Sequence, residues 1–125
     1  MATKYRRQFT HHGELAGVCG VDSGQIMFTD PCYVKDFRDE MSEGGEFDCN
    51  VAPSAGGDYP YTYNGACTAT TQKFPAGQLG SCQGVVTSTG YGDGLYPVYV
   101  KTNDEGRVVS ATIVFIEDED NDNGW

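Results

Sequence analysis

The 125 residues carry eight Lys and Arg against eighteen Asp and Glu, a net charge of -10. Such an excess repels nucleic-acid phosphates and anionic membrane surfaces, so neither is an expected partner. No apolar run is long enough to span a bilayer as a helix, and the basic start M-A-T-K-Y-R-R-Q-F has no apolar segment behind it, so it does not read as a secretory signal.

The length fits one domain, residues 1–125, with a short acidic tail at 117–125. Seventeen glycines, and an apolar content drawn largely from Val, Tyr and Phe, favour strands over helices. A start at Met1 without a signal gives a cytoplasmic location as the expectation. Cys19, Cys32, Cys49, Cys67 and Cys82 form no C-x-x-C pair. Their odd count leaves at least one unpaired within the chain. The expected state is five small buried hydrophobes in a reducing compartment, with one or two disulfides as the alternative.

In chain order, Tyr5 to His11 alternates as a first strand and His12-Gly13 turns it. Residues 14–21 (E-L-A-G-V-C-G-V) form a second strand whose glycines predict a bulge or close packing. Asp22-Ser23-Gly24 is a turn, residues 25–29 a third strand, and Asp30-Pro31 its end, because Pro31 drives Asp30 out of the α region. Val34, Phe37 and Met41 recur at helical spacing, which predicts a helix over 33–42 that Gly44-Gly45 stops. Residues 47–51 alternate as a half-buried strand and 52–58 are loop.

Residues 59–71 read as a hairpin around Asn64-Gly65, the pair favoured in type I′ turns, with Tyr59, Tyr61 and Tyr63 sharing one face. Residues 73–82 are loop. Gly84 to Val100 reads as the best-marked hairpin, its turn being Gly90-Tyr91-Gly92-Asp93-Gly94. Gly92 or Gly94 is expected at positive φ. Pro97 requires an edge strand or a position that needs no ladder bond. Asn103-Asp104-Glu105-Gly106 is a tight turn. The last strand, 107–116, puts Val109, Ala111, Ile113 and Phe115 on its core face, so that 85–116 makes a three-strand meander. The sum is an all-β chain of about eight antiparallel strands with one short helix, a sandwich or a partly open barrel.

Three stretches carry a resemblance: Asp22-Ser23-Gly24, Asp30-Pro31-Cys32-Tyr33, and Tyr91 to Val100 (Y-G-D-G-L-Y-P-V-Y-V). Together they resemble small uncharacterised bacterial and bacteriophage proteins with D-S-G…D-P-x-Y…G-D-G-x-Y-P-V. They are also similar to the C-terminal part of domain-of-unknown-function family 4241, whose members often have Trp or Phe where this chain has Tyr91. The resemblance covers residues 18–34 and 84–116, and nothing in 35–83. It implies a β-rich fold, and a bacterial or phage origin in which a phage-encoded chain would reside in the virion. It implies no activity and no catalytic residue.

Five constellations bear on function. Asp22, Asp30 and Asp93 stand at strand ends. If those ends meet, three carboxylates would hold Ca²⁺ or Mg²⁺, while the ordinary role of each is to accept N–H bonds in its own turn. Asp118, Asp120 and Asp122 have the 1-3-5 spacing of a calcium loop, but position six is Asn123 and no twelfth-position Glu follows. No cofactor is expected, with weak Ca²⁺ binding as the alternative. His11 and His12 with Cys19 and Cys32 offer zinc ligands, against which stands the rule that neighbours on a strand point to opposite faces. The tyrosine row offers rigid contact area, and Lys4, Arg6 and Arg7 form a basic docking segment for an acidic neighbour. No nucleophile, base and orienter stand together. The expected function is a non-enzymatic binding or assembly protein acting on a protein partner or on itself. A small metal-dependent or thiol enzyme and an acidic mimic of nucleic acid are the alternatives.

Overall fold

The computed structural model describes residues 9–37 and 49–117. Lys4, Arg6, Arg7, the end of the expected helix at 33–42, the start of the expected strand at 47–51 and the tail after Glu117 lie outside the described residues. In chain order the elements are β1 (Phe9–Thr10), β2 (Gly13–Val21), β3 (Gln25–Thr29), a 3-10 helix (Pro31–Asp36), α1 (Tyr63–Thr70), β4 (Ala76–Leu79), β5 (Gly84–Ser88), β6 (Gly94–Thr102) and β7 (Val108–Ile113). The described residues are thus mainly β: two antiparallel sheets and one short α-helix, neither sheet closing into a barrel. Contacts divide the chain into two compact units, Met1–Asp22 with Gly90–Trp125, and Ser23–Thr89.

The first unit holds the four-stranded sheet, in the order β1-β2-β6-β7. The bulge expected from the glycines of β2 is present between Leu15 and Gly17. Pro97 lies on β6, an internal strand, and not on an edge. Its carbonyl accepts from Val114 N at 3.3 Å, while the last β6–β7 pair is Val98↔Ile113. The missing N–H therefore falls past the end of that ladder, at a position that needs no bond. Asn103 makes the β6–β7 turn as expected: its Oδ1 accepts from the N–H groups of Glu105 and Arg107, both at 3.0 Å.

The strongest hairpin expectation is corrected. β5 and β6 join different sheets, β5 pairing with β3 and β4 and β6 with β2 and β7. Gly94 is already strand, paired with Val21, so Asp93-Gly94 is a strand entrance and leaves no two-residue turn. Residues 85–116 are accordingly not a meander. Gly90 and Gly92 do take positive φ, 80° and 103°, whereas Gly94 does not.

The second unit holds the sheet β3-β5-β4. β4 falls where a loop was expected. Its Pro and Gly neighbours mask it, and pairing with β5 from Ala76↔Thr87 to Leu79↔Gly84 makes it a strand. The expected helix at 33–42 begins instead as a 3-10 helix at Pro31. Asp30 caps it, the carboxylate accepting from Cys32 N at 2.9 Å.

The true α-helix replaces the hairpin expected at 59–71. Thr62 is its N-cap, with extended backbone and a hydroxyl that accepts from Gly65 N at 2.9 Å. Asn64-Gly65 is then first helical turn. Gly65 serves close approach, since a Cβ there would lie 2.0 Å from the Pro60 carbonyl oxygen. Ala66 and Ala69 pack with Tyr61, Leu79 and Val86 into the core of this unit, and Phe37 meets Tyr61 edge-on at 5.1 Å.

Candidate functional site

The tyrosines do not form a row. Tyr61 is 7% exposed in the core, its hydroxyl 2.7 Å from Thr29 Oγ1. Tyr59 is half-buried and bridges to Leu79. Tyr63 opens helix α1. The period of two that would align them is broken by the helix.

Asp30 accepts from Cys32 N in its cap, and Asp22 and Asp93 are exposed. Among the described residues, three potential metal ligands come together elsewhere: His11, His12 and Glu117. His11 and His12 are the turn between β1 and β2, not strand residues. Thr10 Oγ1 accepts from His12 N at 3.0 Å and fixes that turn. The opposite-face rule therefore does not apply, and the two rings lie 3.8 Å apart between centroids. The His12 ring also stands 5.4 Å from that of buried Tyr99 on β6, and its Nε2 is 3.4 Å from Glu117 Oε1. Sequence reading missed Glu117 because it lies at the far end of the chain.

A second feature is strand β7 itself, an edge of the four-stranded sheet. Its sequence V-V-S-A-T-I holds no charge and no proline. Neighbouring residues on a strand face opposite sides, and both Val108 and Val109 are exposed, at 62% and 61%. The expected core face is covered only towards its end, where Ile113 and Phe115 are half-buried and Phe115 meets Tyr96 edge-on. An uncharged, β-branched edge offers open backbone N–H and C=O groups to another strand.

No disulfide joins any of the five cysteines. None is fully buried, contrary to expectation, and Cys32 and Cys82 are exposed. Cys67 sits one helical turn beyond Tyr63 on α1, where Gln25 Nε2 approaches its sulfur at 3.7 Å and Thr70 Oγ1 donates to Gln25 Oε1 at 3.1 Å. Burial, and then the neighbouring Cys67, hold the Tyr63 phenol above its ordinary pKa. Among the described residues, Gln25 and Thr70 supply amide and hydroxyl groups to this cluster, neither of which is a base for a thiol proton.

No described helix is long and apolar enough to cross a membrane. No curated protein and no solved structure matches the chain. The sequence model of the family described as "Protein of unknown function (DUF4241)" matches residues 6–113, and so takes in the segment 35–83 that the motif resemblance left out. The match covers most of the chain, and the protein belongs to the DUF4241 family.

Proposed function

We propose that this is a non-enzymatic assembly protein that associates by strand addition at β7, the occupant being a second copy of itself. The observation that carries the reading is the exposed, charge-free edge Val108–Ile113. Antiparallel pairing of two β7 strands about a two-fold axis at Ala111 sets Val109 against Ile113 and Ser110 against Thr112. Such cross-strand pairs are favourable. In a protein of net charge -10, a contact free of acidic residues is where two copies meet with least repulsion. The D-S-G…D-P-x-Y…G-D-G-x-Y-P-V pattern supports a bacterial or bacteriophage accessory or structural subunit.

Light scattering over a range of protein concentrations tests the reading, with Val109→Lys as the edge-blocking variant. The wild type is expected to be dimeric at micromolar concentration. The variant is expected to be monomeric, with an unchanged far-UV circular dichroism spectrum. A monomeric wild type, or a variant that stays dimeric, overturns the proposal.

A further inference from the structure

We propose that His11, His12 and Glu117 form a site for a borderline transition metal of the Zn²⁺ class, which clasps the β1–β2 turn to the chain that follows β7. One donor atom from each of the three lies within 4.8 Å of the others. Two donors held about 2.0–2.2 Å from a tetrahedral ion stand about 3.4 Å apart. His12 Nε2 and Glu117 Oε1 are separated by 3.4 Å. That spacing is slack for a hydrogen bond and right for two ligands of one ion. His12 is held by its ring contact with Tyr99 and by the Thr10 bond to its backbone. His11 and Glu117 are exposed, so their side chains can close the remaining distance at little steric cost.

The donor set selects the metal. Ca²⁺ and Mg²⁺ prefer six or more oxygens, and this site offers one carboxylate and two imidazoles. Imidazole suits Zn²⁺, Cu²⁺ and Ni²⁺. Two histidines and one glutamate leave one tetrahedral position, which water fills. The long-range field of a chain with net charge -10 favours cation capture. The ligands come from the β1–β2 turn and from the segment after β7, the elements at opposite ends of the sheet order β1-β2-β6-β7. A bound ion therefore ties the β1–β2 turn to the segment after β7 and stabilises the folded state by mass action. This site is separate from the β7 edge and does not depend on dimerisation.

The test uses the full chain, stripped with chelator and titrated with Zn²⁺ by calorimetry and with Co²⁺ by absorption spectroscopy. Co²⁺ reports the donor atoms, which matters because five cysteines outside any disulfide compete for metal. One ion per chain is expected, without a thiolate-to-cobalt charge-transfer band, together with a melting temperature that rises with free Zn²⁺. His11→Ala and Glu117→Gln alter exposed side chains and should leave the metal-free melting temperature unchanged. Each should weaken binding by more than the roughly 10–100-fold that loss of a mere supporting partner causes. No binding at millimolar Zn²⁺, binding that survives both substitutions, or a thiolate band that persists in both variants overturns the proposal.

Discussion

Helix α1 lies over β4 and β5, and Ala66, Ala69, Leu79 and Val86 are each 3% exposed or less. Strand β7 is as rich in β-branched and small apolar residues, yet Val108 and Val109 are more than half exposed. The side chains are of one chemical kind, so chemistry alone does not explain the difference. A pleated face is buried only where a second layer covers it, and an apolar strand without cover becomes an interaction edge. Alternation in a sequence identifies which residues share a face. Whether another element covers that face is decided by distant parts of the chain.

Truncating one apolar side chain in each region separates covered from uncovered apolar surface. Leu79→Ala removes a fully buried side chain and should cost about 2–5 kcal/mol of unfolding free energy. Val109→Ala should cost no more than about 0.5 kcal/mol when measured at protein concentrations low enough to dissolve any dimer. Gly65→Ala belongs with the first group, because its Cβ would meet the Pro60 carbonyl at 2.0 Å and backbone cannot yield as a side chain can. An overpacking loss of about 1–3 kcal/mol is expected. Chemical denaturation measures all three. Equal costs for Leu79→Ala and Val109→Ala would mean that β7 is covered within the monomer.

The same contrast explains how much was legible. The β-rich class, β2 with its bulge, β3, and the Asn103–Gly106 turn follow from short-range rules that nothing overrides. The hairpin at 59–71 fails because Asn64-Gly65 has two uses, and Thr62 decides between them: it caps a helix whose Ala66 and Ala69 find the core. Thr62, followed by Tyr63, Ala66, Cys67 and Thr70 at helical spacing, was the signal available. The split of β5 from β6 is invisible locally, since a glycine-rich connector between two sheets looks like one between two paired strands. The metal ligands are the least legible. His11 and His12 come together because they occupy a turn, and Glu117 arrives from more than a hundred residues away.

That connector gives a smaller and more local test. Gly92 has φ 103° with open space around its Cβ position, so only backbone conformation opposes a side chain there. Gly94 lacks positive φ, and its Cβ would make ordinary contact with the Tyr96 ring at 3.4 Å. Gly92→Ala should lower stability by about 1–2 kcal/mol, and Gly94→Ala should be nearly neutral. Thermal unfolding of the two variants side by side checks this. Equal losses would mean that 90–94 acts as a single strained turn, and not as a connector leading into β6.

The smallest expected effect asks how dry the covered side of α1 is. Burial, followed by Cys67, holds the Tyr63 phenol above its ordinary value of about 10. The folded state then binds this proton more tightly than the unfolded state. Stability therefore carries the full contribution below about pH 10 and loses it as pH rises from there through the folded-state value. Tyr63→Phe should flatten that alkaline arm and leave the curve near neutral pH almost unchanged. Other tyrosines and the thiols also ionise in this range, so the quantity to measure is the difference between wild-type and variant stability curves. Cys67→Ala should reduce that difference without abolishing it, because burial is the larger cause. Tyr63 is only half-buried, and water screens much of the interaction, which keeps the effect small. Parallel curves for wild type and Tyr63→Phe up to about pH 11 would mean that water reaches the phenol freely and that the cover provided by α1 ends before its first turn.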